Sequence, residues 1–90
     1  MENTITKEPP RLRIIAHRPT MLGIKATVAV YRGNQEIFCD EVKLWQVNSR
    51  EQFIKSCTKL LGRTSRDFRE RVDEMLRKKN QELSRHYSIG

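Results

Sequence analysis

The stretch from Val30 to Trp45, VYRGNQEIFCDEVKLW, decides the fold. It opens as one alternation of apolar and polar residues and closes as another, with the two out of phase. Between them Gly33-Asn34 supplies residues that tolerate positive φ, as a two-residue hairpin turn requires. With that turn Arg32 faces Gln35, Val30 faces Ile37 and Val28 faces Cys39, so the apolar pairs share a face. Continued unbroken, the register would set Ala26 against Glu41 and Ile24 against Lys43 and aim two charges into the core. One extra residue, a β-bulge, moves the pairs to Ala26 with Val42 and Ile24 with Leu44 and restores an apolar face. The spacing therefore predicts a hairpin with a bulge near Asp40.

Upstream, Leu12, Ile14 and Ala16 alternate with Arg11, Arg13 and His17, a first strand stopped by Pro19. From Gly23, the apolar Ile24, Ala26, Val28 and Val30 alternate with Lys25, Thr27, Ala29 and Tyr31 in a longer strand. Residues 1–10 are polar and end in Pro9-Pro10, which removes backbone donors, so they read as a flexible arm ahead of a single domain over residues 11–90.

Downstream, SREQ matches a capping box, with Ser49 and Gln52 exchanging bonds to each other's amides, and predicts a helix starting there. Phe53, Ile54, Cys57, Leu60 and Leu61 form its apolar stripe, and Gly62 is placed to end it in a left-handed cap. Thr64 or Ser65 is positioned to cap a second helix with the stripe Phe68, Val72, Met75, Leu76 and Leu83, which Tyr87 extends. Asp67 with Arg71, Asp73 with Arg77 and Glu74 with Lys78 stand at i, i+4 and support that helix. Its stripe is interrupted by Lys79 and Asn80, so its last two turns are expected to project past the sheet. The fold class is α+β, a small antiparallel three-stranded sheet followed by two α-helices packed on one face.

Ninety residues with 37% hydrophobic and 32% charged side chains make one small globular domain. No run is long and apolar enough to span a membrane, and the first residues lack a signal-peptide order, so a cytoplasmic protein is the expectation. The net charge of +7 is unevenly spread. Residues 11–33 carry Arg11, Arg13, Arg18, Lys25 and Arg32 and no acid, whereas 34–47 are net acidic. Such a block favours a polyanionic partner, with nucleic acid first and an acidic protein or membrane surface next.

Catalysis is not expected. Asp40 and Glu41 are adjacent and unpartnered, His17 and His86 lie at opposite ends of the chain, and the isolated glycines make no phosphate loop. Cys39 and Cys57 match neither zinc spacing nor a disulfide framework, and Cys57 sits in an apolar helical stripe as a core thiol does. No cofactor, metal or small-molecule substrate is indicated.

The candidate nucleic-acid residues are Arg11, Arg13, Arg18, Lys25, Tyr31 and Arg32. On the sheet face away from the helices Arg11, Arg13, His17, Lys25, Thr27, Tyr31 and Phe38 would set cations beside aromatics, the combination that holds single-stranded nucleic acid. Glu36 and Asp40 intrude on that face. An ordinary solvated sheet face is the competing reading. The alternative function is a protein-interaction or assembly module, with a homodimer among its forms, using Trp45 and the second helix with Arg77, Lys78, Arg85 and Tyr87.

The order VYRGNQEIFCDEVKLWQVNSREQFIKSC, with Asp40, Leu44, Ser49, Arg50 and Phe53 at these intervals, resembles a hairpin-plus-helix region within primase-helicase polypeptides of plasmids and phages. It covers about a third of the chain, residues 28–57. The chain lacks the zinc-binding and metal-binding segments that make such polypeptides active. The resemblance implies a non-catalytic accessory module of DNA replication or mobile elements, DNA or RNA being the partner.

Overall fold

The computed structural model describes residues 10–62 and 66–87, so most of the N-terminal arm and the expected caps Thr64 and Ser65 lie outside the described residues. Three strands, β1 (Arg11–Pro19), β2 (Ile24–Arg32) and β3 (Gln35–Lys43), form an antiparallel meander in the order β1-β2-β3. Two helices, α1 (Val47–Leu61) and α2 (Arg66–Tyr87), follow and cover one face. This is the expected α+β architecture.

The core is built on the central strand. Ile24, Ala26, Val28 and Val30 of β2, with Val42 and Leu44, pack under Phe53, Ile54 and Cys57 of α1 and under Phe68, Val72, Leu76 and Leu83 of α2. Each large apolar side chain in this set stabilises the fold by roughly 1.5–3 kcal/mol relative to exposure. The period-two pattern of β2 and the i, i+4 stripes of the helices supply these side chains from three elements to one layer.

The hairpin carries the expected extra residue, but at a different place. Ala26 pairs with Val42, Val28 with Asp40 and Val30 with Phe38, and the register shifts between Val30 and Tyr31, whose partner is Glu36. Ile37 is therefore the inserted residue, three positions before Asp40. The shift near the turn lets both Ile37 and Phe38 pack against the core, where a shift at Asp40 would have turned Phe38 outward. Phe38 instead meets Phe53 with ring centroids 5.5 Å apart.

β1 contains a second bulge that alternation had concealed. Ile14 pairs with Val28 but Ala16 pairs with Thr27, which leaves Ile15 as the extra residue. Beyond it the faces exchange: His17, expected outside, lies opposite Ala26 on the helix side, and Ala16 lies outside. The two consecutive isoleucines mask the shift, because either could continue the apolar face.

α1 starts earlier than the capping box implies. Gln46 precedes its first residue, the Arg50 amide donates to Gln46 O, and no side chain caps the helix. Ser49 Oγ instead accepts from the Lys43 amide at 2.9 Å, closing the end of β3. The corner Leu44-Trp45-Gln46, tightened by a Gln46 amide to Lys43 carbonyl bond, leaves Ser49 already inside the first turn. At the other end Gly62 ends the helix with a positive φ of +86°, as a glycine can, but its ψ of −97° is not that of the left-handed cap expected of it.

One buried ionic tie joins the layers. Arg50, 6% exposed, donates through Nε to Asp73 Oδ1 at 2.8 Å and through Nη1 to Leu44 O at 2.7 Å. Asp73, expected to pair with Arg77, is thus turned toward α1, while Glu74 and Lys78 stand at 3.8 Å as expected. Arg69 and Glu51 link the helices again near the surface. The last turns of α2 do not project: Leu83 is buried, and Tyr87 packs on β1 with its hydroxyl 2.7 Å from His17 Nδ1. The second bulge, by turning His17 to the helix side, makes that docking geometrically available.

Candidate nucleic-acid interface

The two bulges set the order of side chains on the open face of the sheet. Four rows cross it: Arg11-Tyr31-Glu36, Arg13-Ala29-Cys39, Ala16-Thr27-Glu41 and Arg18-Lys25-Lys43. Five cations and two carboxylates therefore share this surface, with the carboxylates confined to β3. Cations on β1 stand two residues apart at Arg11 and Arg13, about 7 Å along the strand, a separation comparable to that of phosphates on an extended nucleic-acid strand.

The row Arg18-Lys25-Lys43 is the least expected. Like charges placed directly opposite each other across strands destabilise a sheet by roughly 0.2–1 kcal/mol per pair, and here three stand abreast. Among the described residues Lys25 alone is relieved, by Glu41 Oε1 at 3.6 Å on the diagonal. The row became visible only with the bulge at Ile15, which sets Arg18 opposite Lys25 on the open face; the expected hairpin register already turned Lys43 outward, but the sequence did not name it as a site residue.

Arg11, Arg13, Lys25 and Tyr31 lie on the open face, as expected, and Arg18 joins them because the bulge at Ile15 exchanges it with His17. Arg11 Nη2 donates to Gly33 O at 2.9 Å, and Arg11, Arg13, Tyr31 and Asn34 line a shallow hollow of about 360 Å³ at the hairpin end. Arg32 does not join them. It shares the Val30 side of β2, opposite Gln35, and its Nε is buried with no hydrogen-bond partner among the described residues.

Aromatic stacking is weaker than the sequence suggested. With Phe38 and His17 on the helix side, Tyr31 is the ring that remains of those expected on the open face. Ala29, at the centre of the face, is 0% exposed, so the longer side chains around it close over the middle of the sheet. The surface offers charge in rows and little bare platform for bases.

The second set of candidates is dispersed. Arg77, Lys78 and Arg85 are exposed on α2. Tyr87 is occupied by His17, and Trp45 lies on the β1-β2 turn: a Cβ added to Gly23 would fall 2.5 Å from the indole Cδ2 and Cε3. Trp45 is thus engaged by Gly23.

Cys39 is exposed on the open face and Cys57 is buried on the other, so the sheet separates the two thiols. Burial pushes the Cys57 thiol up to about 11. The Cys39 thiol is also raised, by partial desolvation first and then by Glu36 and Asp40. Neither is an activated nucleophile. Among the described residues no cluster of three His, Cys, Asp or Glu side chains could hold a metal ion, and no helix is long and apolar enough to cross a membrane.

The five residues that carry the primase-helicase resemblance have structural work here. Leu44 and Phe53 are core, Arg50 is the buried tie, Asp40 Oδ1 accepts from the Glu41 amide and Ser49 from the Lys43 amide. Comparison with protein-family models, curated proteins and solved structures returns no match for this chain.

Proposed function

We propose that this domain is a non-catalytic nucleic-acid-binding module that engages phosphates through the open face of its sheet. The observation that carries the reading is the Arg18-Lys25-Lys43 row continued by Arg13 and Arg11 along β1. An arrangement that costs stability in the free protein gains it back when a polyanion lies across the row and its counterions are released. Phosphate contacts supply the affinity. With Tyr31 as the one stacking ring of the expected set, direct readout of base edges contributes little. The resemblance to primase-helicase polypeptides supports a setting in DNA replication or mobile elements, in the cytoplasm.

A fluorescent oligonucleotide titrated at low salt tests this. Arg13→Glu and Lys25→Glu should each weaken binding, because each replaces an attraction with a repulsion. Lys78→Glu, on the opposite side of the molecule, should have a much smaller effect. Absence of binding by both single-stranded and duplex DNA and RNA at low salt, or equal effects of all three variants, would reject the reading. A protein interface through the exposed surface of α2 would show the reverse order, with Lys78→Glu dominant.

A further inference from the structure

The turn that joins β1 to β2 holds two large apolar side chains in solvent. Met21 is 98% exposed and Leu22 76%, although a turn has no need of either residue type. The turn itself is fixed. The Thr20 amide donates to Gly23 O at 2.6 Å, Thr20 Oγ1 donates to the same oxygen at 3.1 Å, and the Gly23 amide donates back to Thr20 Oγ1 at 3.1 Å. The indole of Trp45 lies on Gly23 so closely that no Cβ fits. Met21 and Leu22 are therefore presented on a braced support.

Directly behind this tip stands the Arg18-Lys25-Lys43 row. Met21 is three residues from Arg18, about 10 Å at strand spacing, and the row spans about 10 Å across three strands. A minor groove about 6 Å wide and 7.5 Å deep fits between these dimensions, with the tip reaching the base edges while the long cationic side chains meet phosphates on both sides. Methionine and leucine are among the side chains that wedge between base steps, and a wedge must be rigid to unstack them.

We infer that the Met21-Leu22 turn is an intercalating wedge, and that the nucleic acid bound by this domain is duplex DNA, kinked at the site of insertion. The inference rests on the phosphate-binding reading above and names its substrate class. Flexible pyrimidine-purine steps are the preferred points of entry, since they unstack at least cost.

The test is a short DNA duplex with a central TA step and a donor and an acceptor dye at its ends, with binding followed by anisotropy and bending by energy transfer. The wild-type protein should bind and shorten the end-to-end distance by a kink of about 20–90°. Met21→Ala with Leu22→Ala should bind with the same salt dependence and leave the duplex straight; both residues are exposed, so the fold tolerates the change. A duplex that is bound but straight with the wild type, or equally bent by the double variant, overturns the wedge and leaves phosphate binding intact. Failure to bind any nucleic acid overturns both. Blue-shifted Trp45 fluorescence on vesicles of anionic phospholipid, lost in the double variant, with no bending of DNA would assign the tip to a membrane and overturn the inference.

Discussion

Lys43→Thr should make the free protein more stable while making it a weaker binder of nucleic acid. Lys43 lies opposite Lys25, which lies opposite Arg18, and the replacement removes one of the two like-charge pairs. Threonine suits a strand, and the bond from the Lys43 amide to Ser49 Oγ uses only backbone at that position. A cross-strand like-charge pair costs roughly 0.2–1 kcal/mol, and the exposure of Lys43 favours the lower part of that range, about 0.2–0.6 kcal/mol. For a domain of this size that is a rise in Tm of about 1–5 °C. The assay is thermal unfolding by circular dichroism at low and high sodium chloride. The gain should shrink as salt rises, because screening already relieves the repulsion in the wild type. In parallel, the log-log slope of binding against salt should become shallower by about 0.7–0.9, one phosphate contact. A variant that is less stable at low salt, or whose gain does not depend on salt, would refute the claim that the row is strained for function.

Other consequences concern the scaffold that holds these rows. Asp73→Ala leaves the Arg50 guanidinium buried without its carboxylate and should cost about 2–4 kcal/mol by urea unfolding; Arg50→Leu should cost less, since it strands a half-exposed carboxylate and not a buried cation. Gly23→Ala should cost about 1–3 kcal/mol, because the new methyl meets the Trp45 ring at 2.5 Å, and it should shift the tryptophan emission. A thiol reagent should label Cys39 in the folded protein and reach Cys57 only on unfolding. Between pH 9 and about 11 the unfolded Cys57 thiol ionises while the folded one does not. The folded state then holds more protons, and stability should fall as pH rises through that window, by roughly 1 kcal/mol at pH 10 relative to Cys57→Ala.

Much of this architecture is written locally. Gly33-Asn34, the alternation in β2 and the helical stripes each state their own element, and the need to keep Glu41 and Lys43 out of the core announces a one-residue shift in the hairpin. The position of the shift is not local. Ile37 and Phe38 are both apolar, so sequence alone allows the slip before or after them, and packing of Phe38 on Phe53 decides it. Ile14 and Ile15 hide the second bulge for the same reason, and with it the inward turn of His17 and the docking of Tyr87. Ser49 shows the limit of a motif: the helix starts at Val47, and the Ser49 hydroxyl accepts from the Lys43 amide instead of capping it. At the candidate interface, Arg11, Arg13, Lys25 and Tyr31 were legible from alternation, whereas Arg18 reached the open face only through the bulge at Ile15 and Arg32 fell on the other side. The triple cation row required the register of all three strands. Met21-Leu22 carried a signal that alternation does not weigh, two large apolar residues between Thr20 and Gly23 in a turn.

Phosphate binding by the open face is tested most directly by how affinity for a short DNA duplex depends on salt. Three to five of the cations Arg11, Arg13, Arg18, Lys25 and Lys43 acting on phosphates predict a log-log slope of about −3 to −4.5, a loss of roughly 60- to 500-fold in affinity between 50 and 200 mM salt. A slope near zero, with affinity that survives high salt, would contradict the account and return the open face to an ordinary solvated sheet.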